Sequence, residues 1–239
     1  MATGIRKFAA GREDPATVAY LCGPGEASQG IEGNARRLAA GIRLPSFSGT
    51  VALACAQAKP RKPGQRLSVV SGVREAEVFY RGLGPSAEDD RWPALLWLRT
   101  AAVREGSVTL AVHGRDGRAA GFGSFRRVLA VEIDEGDRLS LCYSIRPDYV
   151  YVAPDRRGMG YSSVLREGLM PAIDADFRIL AERGTAGLPM GFEVLGTAES
   201  DEGSGFMERL RLDMKDTVER RFSAEDLQDF GYDTVMPAF

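Results

Sequence analysis

The stretch Tyr149-Val150-Tyr151-Val152-Ala153-Pro154-Asp155-Arg156-Arg157-Gly158-Met159-Gly160-Tyr161-Ser162-Ser163-Val164-Leu165 decides how the chain is read. An aromatic and β-branched run ends at Pro154, two arginines and two spaced glycines follow, and a helix-compatible segment runs on to about Glu182. The order is strand, glycine turn, helix. The first N–H groups of a helix have no intrahelical acceptor and lie at the positive end of its dipole, so an anion there gains roughly 0.3 to 2 kcal/mol. Glycines let a phosphate approach the backbone, and arginine side chains pair with its oxygens. A P-loop would need a lysine after its second glycine, and a dinucleotide-binding fingerprint would need a third glycine where Ser163 stands.

Reading outward from this turn, Arg66–Val70 is strand-like, and helices are predicted over Val73–Leu83 and from about Arg91 to Arg104, the second from apolar spacing at Trp92, Leu95, Leu96, Leu98 and Val103. Ser107–His113 reads as a strand, Asp116-Gly117 as the tip of a hairpin, and Ala119–Val131 as the return strand, with a bulge expected near Gly121 or Gly123. Leu139–Ile145 alternates as a further strand. After the turn, Leu165, Leu169, Ile173, Phe177 and Leu180 form a core stripe, and Pro171 is expected to kink or divide that helix. Gly191–Thr197 reads as the next strand. Before residue 58, Thr17–Leu21 and Thr50–Ala54 are read as strands, and the connector from Lys59 to Gln65, with two prolines and three basic residues, sets a boundary. Residues 1–58 are therefore expected to be an N-terminal extension to a domain spanning 66–239.

With 239 residues, 44% of them hydrophobic and 27% charged, the chain has the composition of a folded domain. A net charge of -2 supplies no overall field for nucleic acid or an anionic membrane. No apolar run approaches the length of a membrane span, and no signal-peptide stretch follows Met1, so the chain reads as cytoplasmic. Lysine is scarce beside arginine, which reads as the coding bias of a GC-rich bacterial genome. Cys22, Cys55 and Cys142 form no CxxC pair, and His113 is the only histidine, so no metal site is expected. His113 sits in a strand beside the hairpin, where a packing role is expected.

The arrangement Val152-x-Pro154-x-x-Arg157-Gly158-x-Gly160-x-Ser162 resembles the pyrophosphate-binding signature of the GNAT superfamily of acyl-CoA-dependent N-acyltransferases. Arg157 and Gly160 match the family's Arg/Gln-x-x-Gly-x-Gly/Ala, and Ser162 departs from its last position. The stretch Phe206-Met207-Glu208-Arg209-Leu210 resembles the family's Phe-Tyr-Glu-Lys/Arg-Leu, with Met207 where a tyrosine is often the proton donor to the leaving thiolate.

This resemblance implies an α/β (α+β) fold with a mixed, mostly antiparallel central sheet flanked by helices. It implies acetyl-CoA or another acyl-CoA as co-substrate and an amine acceptor as partner, with a homodimer compatible. Val152, Arg156, Arg157, Gly158, Met159, Gly160, Tyr161, Ser162 and Ser163 would then hold the cofactor. An amine of pKa near 10.4 is only about one part in a thousand neutral at pH 7.4, so a base is needed. Glu193 on the strand after the signature is the first candidate and Asp148 the second. Tyr151, with Tyr149 and Tyr161, lies near the expected thioester and could donate a proton. The alternative is a module that binds acyl-CoA for regulation or assembly and transfers nothing.

Overall fold

The computed structural model describes residues 6–9, 42–57, 65–83, 88–104, 106–133, 139–183, 190–196, 198 and 200–222. In chain order these form β1 (Arg6–Ala9), α1 (Phe47–Gln57), β2 (Arg66–Val70), α2 (Val73–Arg81), α3 (Glu88–Val103), β3 (Ser107–His113), β4 (Ala119–Ile133) and β5 (Leu139–Val152). A 3-10 turn (Pro154–Arg156) then leads to α4 (Tyr161–Arg183), β6 (Met190–Val194) and α5 (Asp201–Arg221). One sheet runs β2-β3-β4-β5-β6, and β1 pairs with the far end of β4. Every pairing is antiparallel except that of β5 with β6. The expected mixed, mostly antiparallel sheet flanked by helices is what forms.

The sheet buries a face on each side because its strands alternate inward residues. On one face Val108, Leu110, Leu129, Leu141, Tyr143 and Ile145 pack against the α4 stripe of Leu165, Leu169, Ile173, Phe177 and Leu180, and against Phe206, Leu210 and Val218 of α5. On the other, Ala111, Phe122 and Tyr151 pack under Ala76 and Phe79 of α2 and Ala94 and Leu98 of α3. The buried stripe of α3 is thus Ala94, Leu98 and Ala101, whereas Leu96 and Val103, expected inside, are exposed. His113 lies edge-on to Phe79 at 5.3 Å, and burial and Arg66 hold its imidazole below the ordinary value, as a packing residue would be.

Three expectations change. Thr50–Ala54 belongs to the helix α1, in which Val51 is buried one turn from Phe47 and Leu53 is exposed. The strands expected at Leu139–Ile145 and Tyr149–Val152 are one strand, because β5 absorbs Asp148 as a bulge: Ser124 pairs with Tyr149 while Phe125 pairs with Pro147. That bulge lies just past Gly123. The α4 helix runs through Pro171 without dividing, its middle held by fully buried Leu169, Ala172 and Ile173. The reading of Thr17–Leu21 lies outside the described residues, as does nearly all of the 59–65 connector.

The segment before that connector is built into the same core. Phe47 and Val51 are 3% and 0% exposed among the residues of the α4 face, and β1 extends the sheet along β4. The expected boundary is therefore not a break in packing: deleting residues 1–58 leaves a cavity where an aromatic and a valine stood, each costing on the order of 1 to 5 kcal/mol. A chain beginning at Arg66 is expected to be insoluble or to lose its cooperative unfolding transition by circular dichroism. A soluble truncation with the full-length transition would restore the extension as a separate unit.

Candidate active site

The site begins where two strands part. Parallel pairing of β5 with β6 covers Leu141–Ile145 against Met190–Val194, and the last rung is Leu195 N–H to Ile145 O at 2.9 Å. The reason is local: Pro147 has no N–H to continue the ladder, and the bulge at Asp148 turns the strand. From Arg146 to Val152 β5 runs on with no strand on that edge among the described residues. The two strands therefore part after Ile145 and Val194, and the edge of β5 leads on to the glycine turn.

The turn is shaped for an anion. Gly158 and Gly160 have φ of +74° and +82°, values that side-chain-bearing residues adopt only with strain. A Cβ at Gly158 would meet nothing within 4 Å, so the backbone there faces open space. The first α4 hydrogen bond runs from Val164 N to Gly160 O at 3.3 Å, which leaves the preceding amides directed along the helix axis. The first turn of α4 carries no acidic residue. The start of α5 is the contrast: Ser200 caps Gly203 N, and Asp201 and Glu202 fill the first turn, so its positive end is neutralised internally.

The remaining turn residues divide by role. Tyr161 is buried, and Ser162 and Ser163 sit half-buried in the first turn of α4. Met159 is 51% exposed beside the two glycines. Arg156 donates to Asp116 at 2.6 Å and lies 3.3 Å from Asp155, so it latches the β3–β4 hairpin onto the turn. That contact raises the guanidinium's pKa and holds the Asp116 carboxyl below its usual range. Gly114 permits the approach, since a Cβ there would lie 2.9 Å from both Asp116 Oδ1 and Tyr161 OH. Sequence reading missed Asp116 because only the fold brings the hairpin tip to the turn. Arg157 is exposed and donates to Val152 O at 3.3 Å.

The candidate catalytic residues fall in three different places. Glu193 is one residue before the end of β6, opposite Ser144, so it stands at the apex of the parting strands. Its Oε1 accepts from Ser144 Oγ at 2.6 Å and from Cys142 Sγ at 3.3 Å. Asp148 is also at the parting, but both its oxygens accept from Arg126 at 2.7 Å, and Arg104 and Arg146 approach at 3.4 and 3.5 Å. A carboxylate so enclosed is an anchor for guanidiniums and is poorly placed to take a proton. Tyr151 packs 5.7 Å from Phe122 under α2 and α3, and Tyr149 stacks on Trp97 at 5.3 Å. On α5, Met207 approaches Gly196, where a Cβ would lie 3.3 Å from Met207 Cε and 3.4 Å from Pro147 O. The position expected to hold the family's tyrosine therefore lies beside the parting of the strands.

The helical pair, the hairpin, the long strand ending in a glycine turn and helix, and the final strand and helix now stand in the order anticipated. That element order and the mixed sheet are the ones the resemblance implies. The sequence matches no protein-family model and no curated protein. Among solved structures it is similar to a ribosomal-protein-alanine N-acetyltransferase from Brucella melitensis biovar Abortus 2308, with 19% identity over 61% of this chain and 89% of that one, at a TM-score of 0.36. It is also similar to the glucosamine-6-phosphate N-acetyltransferase of Arabidopsis thaliana (14%, 62% and 90%, 0.32). A third is the aminoglycoside N-acetyltransferase AAC(6')-Iy in complex with CoA (16%, 64% and 90%, 0.32). Scores this low add nothing to the strand order and register already described. No helix among the described residues is long and apolar enough to cross a membrane.

Proposed function

We propose that the chain is an N-acyltransferase that moves an acetyl or other short acyl group from acyl-CoA to a primary amine by direct attack in a ternary complex. The observation that carries this reading is the parting of β5 and β6 after Ile145 and Val194, with the edge of β5 leading into a glycine turn whose helix has no acid in its first turn. The residues present fit the cofactor: the amides at the start of α4 suit a pyrophosphate, and the backbone of a strand edge that pairs with no other strand among the described residues suits a chain of amides. Acyl-CoA supplies a thioester, whose carbonyl is activated towards an amine.

The rest is the work of the chain. Glu193, at the apex, removes the proton that makes the amine unreactive, and Ser144 fixes the carboxylate by donating to Oε1. Arg156 and Asp116 hold the hairpin against the turn. Methionine donates no proton, so at Met207 the thiolate departs unprotonated or takes its proton from solvent or a tyrosine. A thiol pKa near 8.5 makes this a small loss beside a missing base for an amine of pKa near 10.

Glu193→Gln is therefore expected to lower turnover by roughly ten- to a thousandfold and leave a rate that rises with pH. Met207→Tyr should change turnover by less than about tenfold. Steady-state rates from pH 6 to 9 on both variants check this, and a Glu193→Gln enzyme with the parental profile would remove Glu193 from the mechanism. Met207 also gives weight to a second reading, a module that binds acyl-CoA without transfer. The two readings separate on release of free CoA in the presence of an amine, which only the enzyme gives.

A further inference from the structure

Three arginines converge on one carboxylate at the parting of the strands. Arg126 engages both oxygens of Asp148, which is 4% exposed, and Arg104 and Arg146 reach Oδ1 from outside at 3.4 and 3.5 Å with side chains 40% and 47% exposed. Each guanidinium carries five donors, and Arg104 and Arg146 each bring only one nitrogen near Asp148, at distances longer than the two Arg126 bonds. Two half-exposed guanidiniums, Arg104 and Arg146, thus stand beside a carboxylate that Arg126 already holds.

The placement is built, because Ser107 Oγ donates to both Ala101 O and Arg104 O, fixing the end of α3 beside β5. Arg146 is two residues along β5 from Ser144, the partner of Glu193, and their side chains share a face. The stacked pair of Trp97 and Tyr149 lines the next step of the same face.

We propose that Arg104 and Arg146 form the anion subsite of the acceptor, and that the acceptor is a short primary amine bearing a carboxylate or phosphate group. This rests on the acyltransfer reading above and narrows it. Two residues of strand span about 7 Å, a distance that a short amino acid or amino phosphate covers with a hydrogen bond at each end. Its anionic group then pairs with the guanidiniums while its amine lies at Glu193. A polycation meets repulsion at the same place.

The test uses the full chain, acetyl-CoA and matched amines: β-alanine against β-alaninamide, phosphoethanolamine against ethanolamine, and spermidine. The charged member of at least one pair is expected to show kcat/KM roughly ten- to a hundredfold above its neutral partner. The better pair tells carboxylate from phosphate. In the Arg104→Gln/Arg146→Gln variant that ratio should fall to near one, through KM, while the Kd for acetyl-CoA and the rate with the neutral amines stay as in the parent. Preference for the neutral amines or spermidine overturns the proposal, as does a ratio that survives the double substitution. Acetyl-CoA binding without transfer to any charged amine also overturns it and leaves the cofactor site standing, whereas no acetyl-CoA binding is the failure of the acyltransfer reading itself.

Discussion

Ser162→Asp is expected to weaken acyl-CoA binding by about a hundredfold or more while the protein stays folded. The new carboxylate lies in the first turn of α4, which has no acid of its own. There it interacts favourably with the helix dipole, worth about 0.3 to 1 kcal/mol, so the melting temperature should hold or rise slightly. Toward a pyrophosphate the same charge is repulsive: two unit charges about 5 Å apart interact by roughly 3 kcal/mol at an effective dielectric of 20. Ser162→Asn, of the same shape without the charge, should cost less than about tenfold. Substitutions at Gly158 or Gly160 are poorer tests, because their positive φ makes any side chain a strain on the fold as well as an obstacle to the ligand. Calorimetric titration of both Ser162 variants with acetyl-CoA checks the expectation, and equal affinities would remove the phosphate from this turn.

Asp176→Leu is expected to destabilise the protein by about 3 to 5 kcal/mol, roughly 10 °C in melting temperature. Asp176 is fully buried on α4, where both oxygens accept from Arg127 at 3.0 and 3.1 Å and Tyr143 OH donates at 2.8 Å. The guanidinium of Arg127 also lies 5.4 Å from the ring of Phe47, so one network ties α4, the sheet and α1 together. Removing the carboxylate takes from the buried Arg127 guanidinium the counter-charge that Asp176 supplies, which costs more than removing both members of the pair. The double variant Arg127→Met/Asp176→Leu should therefore be more stable than Asp176→Leu alone. Burial pushes the Asp176 carboxyl above its ordinary value against the pull of Arg127 and Tyr143. Thermal melts of the single and double variants decide the point, and a double variant no more stable than the single would show that the buried charge is not the cause.

How much of this was legible in the sequence follows from the range over which each signal acts. Strand β3, the hairpin at Asp116-Gly117, the glycine turn and the α4 stripe are local patterns of period and punctuation, and they were read at the right positions. Arg146-Pro147-Asp148 interrupts the alternation of β5, so one bulged strand looks like two, although that interruption is what ends the pairing with β6. The connector at 59–65 has the composition of a linker, but composition does not reveal that Phe47 and Val51 pack against α4. Asp116 and the arginines around Asp148 meet only through the sheet, across 40 residues for Arg156 and 22 for Arg126. Glu193 was marked by its strand position, and its place at the apex depends on where the parallel register stops.

The most direct test of the acyltransfer account is mass spectrometry of the purified full chain incubated with acetyl-CoA and a cell extract as the source of amines. The account predicts free CoA formed together with an equal amount of one amine heavier by an acetyl group, and the loss of both signals in Ser162→Asp. Acetyl-CoA that stays bound but intact with every amine present, or an acetylated product that persists undiminished in Ser162→Asp, would contradict it.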